Sequence, residues 1–173
     1  LLFNPGELKT EADKSQVLSF TLKDSAGRAL IHRYTIREGD YRIGLEVILQ
    51  GAPRLVTGNQ LKMQWAVQLP RIEKDITYER QQTELGYFDE GKFDFERLAT
   101  GGDYKSEGKV NWLAVKQQFF VNALIGANPF NDAAFTWTVP KDTVSHVVGN
   151  NTASLSLALP AGENVSLPLQ LYY

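Results

Sequence analysis

Two histidines, four clustered carboxylates and a dense group of rings are the residues of this 173-residue chain whose types could do chemistry. Any imidazole base or imidazole metal site must recruit His32 or His146, because there are no other histidines. Neither has a partner nearby in sequence. His32 falls in the alternation of Leu30, Tyr34 and Ile36, which reads as a partly buried, hydrogen-bonded side chain rather than a base. His146 ends the stretch Asp142-Thr143-Val144-Ser145-His146 and reads as a surface residue near a turn. Asp89, Glu90, Asp94 and Glu96 could form a glycosidase pair or hold calcium if two of them shared a cleft. Asp94 and Glu96, however, alternate with Phe93 and Phe95, so we expect them to be solvated. Tyr87, Phe88, Phe93, Phe95 and Tyr104 form the densest ring cluster and the candidate interaction surface, with part of the cluster expected in the core.

Other chemistries lack their residues. There is no cysteine, which removes disulfides, thiolate metal sites and thiol nucleophiles without fixing the compartment. No G-x-S-x-G elbow, P-loop or G-x-G-x-x-G fingerprint is present, since Gly101-Gly102 leads into Asp103-Tyr104 rather than a helix start. No catalytic residue, cofactor or metal is therefore expected. Lys and Arg total 18 against 20 Asp and Glu, for a net charge of -2, and no basic run is dense enough to track a phosphate backbone. Nucleic acid is not an expected partner. The most apolar stretch, Trp112 to Ala127, is interrupted by Lys116, Gln117, Gln118 and Asn122 and falls short of the roughly 18 apolar residues a spanning helix needs. The chain opens at Leu1 without methionine or signal-peptide pattern, so we read it as excised from something larger.

The elements that must position these residues are strands. Tyr41, Ile43, Leu45, Val47 and Leu49 alternate with mostly polar neighbours, as do Leu61, Met63, Trp65, Val67 and Leu69. The same period-two pattern runs through Leu155, Leu157 and Leu159, and through Val165, Leu167, Leu169, Leu171 and Tyr173. Shorter runs are Leu18, Phe20, Leu22 and Phe135, Trp137, Val139. On a pleated strand this alternation gathers apolar side chains on one face. Asp24-Ser25-Ala26-Gly27, Glu38-Gly39-Asp40 and Pro160-Ala161-Gly162-Glu163-Asn164 supply turn residues between such runs, and connections this short force antiparallel pairing. Tyr87 to Phe95 reads as an aromatic hairpin around Glu90-Gly91. Gly101-Gly102-Asp103 and Ser106-Glu107-Gly108-Lys109 read as the borders of a polar loop. Pro168 cannot donate to a ladder, which predicts an edge strand or an unpaired position. Only Lys74 to Leu85 could hold a short helix. The expected architecture is an all-β, mostly antiparallel β-sandwich in one domain, residues 1-173.

Gly108 to Ile125, with Trp112-Leu113-Ala114-Val115-Lys116-Gln117-Gln118-Phe119-Phe120 at its centre, resembles the signature of the large periplasmic domain of YidC-type membrane protein insertases. Tyr34-Thr35-Ile36-Arg37, running through Glu38-Gly39-Asp40-Tyr41 into an alternating strand, resembles a second family segment. Leu169-Gln170-Leu171-Tyr172-Tyr173 is similar to the domain's end. The resemblance covers about residues 16 to 173, but Lys109-Val110-Asn111 stand where the family often has two glycines, and the family's opening strands are unrecognisable before Lys9.

The resemblance implies an extended sandwich (supersandwich) similar to galactose mutarotase-like folds, on the periplasmic side of the Gram-negative bacterial inner membrane. It further implies a non-enzymatic accessory domain that assists insertion and folding of membrane proteins, alone or beside the Sec translocon. Its expected partners are Sec translocon components and the protein's own transmembrane core. Trp112, Phe119 and Phe120 are expected as core anchors, because three large rings are costly to expose, with Gln117 and Gln118 capping neighbouring backbone groups. The competing reading is a carbohydrate-binding or mutarotase-like protein, which requires His32 or His146 to converge with an acid such as Glu46 or Asp94. A free-standing adhesion module is a third.

Overall fold

The computed structural model describes residues 2–173. In chain order the elements are β1 (Asn4–Pro5), β2 (Lys9–Thr10), β3 (Gln16–Lys23), β4 (Ala29–Ile36), β5 (Arg42–Gln50), α1 (Ala52–Leu55) and β6 (Gln60–Pro70). Then come α2 (Ile76–Gln81), β7 (Thr83–Asp89), β8 (Lys92–Arg97), β9 (Gly102–Lys105) and β10 (Val110–Gln117). β11 (Phe120–Phe130), β12 (Asp132–Thr138), β13 (Val147–Ala158) and β14 (Asn164–Tyr172) complete the fold. One sheet runs β1-β3-β4-β5-β14-β11-β10-β7-β8, with β2 also on β3, and the other runs β6-β13-β12-β9. The paired strands are antiparallel, as the short turns require.

The alternation read from the sequence is the alternation that closes the sandwich. Leu45 lies opposite Leu169, Val47 opposite Leu167 and Leu49 opposite Val165, so β5 and β14 present one continuous apolar surface. Leu113 of β10 and Leu124 of β11 extend it. Phe135 and Trp137 of β12, with Ala153, Leu155 and Leu157 of β13, belong to the same buried cluster from the other sheet. The smaller sheet covers only part of the larger one. Leu18, Phe20, Leu22, Leu30 and Tyr34, on the β3–β4 flank, remain half-buried.

Local chemistry explains the joints. Gly27 and Gly39 turn the chain with φ of 81° and 73°, and Glu90-Gly91 do so between β7 and β8 with φ of 47° and 81°. Asp75 caps α2 by accepting from Thr77 N and Tyr78 N, so the helix falls inside the one segment expected to hold one. Pro168 sits on a central strand rather than an edge; the ladder between β14 and β11 ends at Leu169, so the proline lies just beyond it.

Three local expectations are corrected. Gly102–Lys105 is a strand paired to β12, not loop, because Gly102 admits the Trp137 ring; a Cβ there would lie 2.6 Å from it. Tyr41 precedes β5 and is exposed, because the strand begins only at Arg42. Residues 52–55 form a helical turn with Pro53 near its start, a position where the missing N–H costs nothing.

Leu124 is fully buried and Phe119 is 80% exposed. Leu124→Ala is therefore expected to cost about 2–5 kcal/mol of unfolding free energy. Phe119→Ala should stay within about 0.5 kcal/mol. Urea unfolding midpoints of the two variants check both.

Candidate functional site

The signature segment folds as the β10–β11 hairpin. Gln117 pairs with Phe120, leaving Gln118 and Phe119 as a two-residue turn in which Gln118 takes a φ of 51°. Side chains at such a tip have no facing sheet. Phe119 and Phe120 are 80% and 55% exposed, so they are not the core anchors their size suggested. Trp112 is half-buried and points to the outer face of the large sheet, stacked on Phe88 at 6.2 Å and Phe93 at 5.8 Å. It too lies outside the sandwich core.

Gln117 does the capping expected of it. It is buried, and its Nε2 donates to Pro70 O at 2.6 Å and to Glu79 Oε1 at 2.7 Å. Glu79 is 1% exposed and also accepts from the backbone N–H groups of Ile72 and Glu73. One amide thus ties together the hairpin, the end of β6 and α2. The Gln118 contribution comes from its backbone, whose N–H donates to Gln82 O. Glu79 was not singled out from sequence; the readable signal was only that Lys74 to Leu85 could hold a short helix.

The ring cluster divides between the two faces of the large sheet. Tyr87 points inward and stacks on Tyr104 at 4.5 Å and Phe135 at 6.3 Å, bridging the sheets. Burial pushes the Tyr87 hydroxyl well above the usual tyrosine range, with the Tyr104 hydroxyl, Asp94 and Glu96 adding to the shift. Phe88, Phe93 and Phe95 point outward with Trp112. Gly86 lies beneath them, where a Cβ would come within 3.2 Å of the Phe93 ring. Phe93, Phe95 and Trp112 wall a shallow groove of about 360 Å³, floored by Ala114, Ala123 and Ile125. Its charged residues are Glu84 and Lys116, paired with each other at 3.3 Å. This surface can hold apolar or aromatic groups and offers no nucleophile.

The carboxylates do not converge. Asp89 Oδ2 accepts from Ser106 Oγ and holds the loop after β9, while Glu90 occupies the hairpin turn. Asp94 is exposed and Glu96 half-buried. They share the inward face with Tyr87, but on the edge strand β8, where the smaller sheet leaves room for water.

The histidines are also apart. His32 is half-buried against Phe3, with ring centroids 4.8 Å apart, and burial lowers its pKa. Glu46, one acid it would need, is on the opposite face of the sheet bonded to Arg33, and Asp94 lies on the far edge strand. His146 is exposed in the loop before β13.

The model of the YidC periplasmic domain matches residues 3–173. The chain belongs to that family. A membrane protein insertase YidC of Chlorobium luteolum is 30% identical over 157 residues, 88% of this chain and 26% of that protein. Its counterpart in Chlorobaculum parvum is 30% identical over 161 residues, 91% of this chain and 27% of that protein. The chain thus spans about a quarter of the length of these relatives. Among solved structures, an α-galactosidase of Geobacillus stearothermophilus in complex with raffinose superposes on 94% of this chain and 24% of its own, with a TM-score of 0.53 at 14% identity. That likeness is one of sandwich fold. In this chain Gln117 organises one end of the sandwich and Trp112 builds its outer groove.

Replacing Gln117 tests the first role. Gln117→Leu should cost about 1–3 kcal/mol by leaving Pro70 O and Glu79 without this donor. Gln117→Glu, which sets a second carboxylate against Glu79, should cost more at pH 7 than at pH 5. Unfolding midpoints at the two pH values read out the difference.

Proposed function

We propose that residues 1-173 form a single periplasmic accessory and interaction domain of an inner-membrane protein insertase, on the periplasmic side of a Gram-negative cell envelope. The observation that carries this reading is the family match across 3–173, joined by relatives named as insertases at 30% identity. In this role the domain is not an enzyme and assists insertion and folding of membrane proteins, alone or with the Sec translocon. Its partners are translocon components and the protein's own transmembrane core. The separated histidines and carboxylates favour this over the mutarotase-like alternative, whose acid–base pair needs a common cleft. We assign partner contact to the groove of Phe93, Phe95 and Trp112, because an apolar hollow with one neutralised ion pair suits a protein surface better than a sugar's many hydroxyls.

Depletion of the full-length protein in its native host should leave newly made inner-membrane proteins uninserted and accessible to alkali extraction. A photo-crosslinking residue at Phe93 should then capture a translocon component or the transmembrane core, while one at Asn164 should not. Normal insertion after depletion would contradict the insertase reading.

A further inference from the structure

The two loop ends of the sandwich differ in how many rings they expose. At one end Tyr41, Tyr78, Phe119, Phe120, Tyr172 and Tyr173 are 40–85% exposed. They come from separate connections that pairing brings together. Tyr172 lies opposite both Ala123 and Arg42, which places Tyr41 and Tyr173 side by side, while the tip at Phe119-Phe120 runs three to four residues past Ala123 at the same end. Gln117 bonds to Pro70 and Glu79, which places the helix of Tyr78 beside that tip. At the opposite end Lys23 faces Ala29, and Ala29 and Asn164 both face Gln50. The turns there, Asp24-Ser25-Ala26-Gly27 and Pro160 to Glu163, carry no large ring, although Phe3 beside β3 and Phe93 beside the β7–β8 turn are exposed towards that end.

Some of the charges at the aromatic end are held locally, while Arg37, Glu38, Glu73 and Lys74 have no ion-pair partner among the described residues. Asp40 pairs with Arg42 at 3.0 Å, Asp75 caps α2, and the Arg71 guanidinium donates to the carbonyls of Glu73, Lys74 and Thr143. An ion pair such as Asp40–Arg42 costs less to bring towards a medium of low dielectric than either charge alone. Tyrosine on a loop tip settles at a bilayer interface, where its ring meets hydrocarbon and its hydroxyl meets headgroups, and a neighbouring phenylalanine adds apolar area.

We propose that this end, marked by Phe119-Phe120, Tyr41 and Tyr172-Tyr173, seats its rings in the headgroup region of a phospholipid bilayer. The proposal rests on the insertase reading for the proximity of a membrane, since the matched relatives are named membrane protein insertases and this chain is 26% of one of them. It adds which surface faces the lipid.

The absence of cysteine makes single-cysteine reporters clean. The 173-residue chain carrying Phe119→Cys, Tyr172→Cys or Ser25→Cys is labelled with an environment-sensitive fluorophore and mixed with phosphatidylethanolamine–phosphatidylglycerol vesicles. Labels at 119 and 172 should brighten, shift to the blue and be quenched by a nitroxide placed shallow on the acyl chain, whereas the label at 25 should not respond. Adding Phe120→Ser to the Tyr172→Cys chain should raise the lipid concentration needed by about threefold or more, as the loss of one buried ring dictates. Circular dichroism confirms that each variant is folded. No response at 119 and 172, or an equal response at 25, would overturn the proposal. Either result leaves the depletion phenotype, and with it the insertase reading, standing on its own.

Discussion

Closure of two sheets over a shared apolar face is the constraint from which the rest of this molecule follows. A fully buried leucine or valine side chain stabilises the fold by about 1.5–3 kcal/mol. Exposed ion pairs such as Arg33–Glu46 and Arg42–Asp40 give about 1 kcal/mol or less. The interleaved rows of β5, β14, β11 and β10 therefore decide the fold, and the surface charges adjust it. Because the smaller sheet has four strands, its coverage of the larger one is partial, and both the flank at β3–β4 and the rim at β8 stay wet.

The surfaces to which contact is assigned are those this closure leaves outside. The outer face of the large sheet carries Trp112 and the phenylalanines of the β7–β8 hairpin, and one end carries exposed rings on several loops. Neither place gathers an acid with a base. A sandwich with apolar outer surfaces is consistent with the accessory role proposed above, in which positioning and contact matter more than bond making. Gln117 links the two levels, since the same amide that satisfies the buried Glu79 also fixes the hairpin whose tip displays Phe119.

Period-two alternation made the strands and their antiparallel pairing legible, and turn residues such as Gly27, Gly39 and Glu90-Gly91 located the joints. The family was legible too, from Trp112 through Phe120. What sequence could not show was which face each strand turned to the partner sheet. Phe93 and Phe95 alternate as cleanly as Leu167 and Leu169, yet β8 is an edge strand and its rings face outward. Likewise a large ring predicts burial until it falls on a two-residue turn, as Phe119 does. β9 was missed because its pairing depends on Gly102 admitting the Trp137 ring, a contact across 35 positions of sequence.

Native-state amide hydrogen exchange tests the central account most directly, because it reports where opening requires the two sheets to separate. The slowest amides should lie on β14, β11 and β10, around Leu167, Leu124 and Leu113, and should exchange only through global unfolding. Amides of β3, around Leu18 to Leu22, should exchange faster through local opening of the uncovered flank. Protection on β3 equal to that on β11 and β14, or rapid exchange along β14, would contradict the claim that cross-sheet burial holds this fold together.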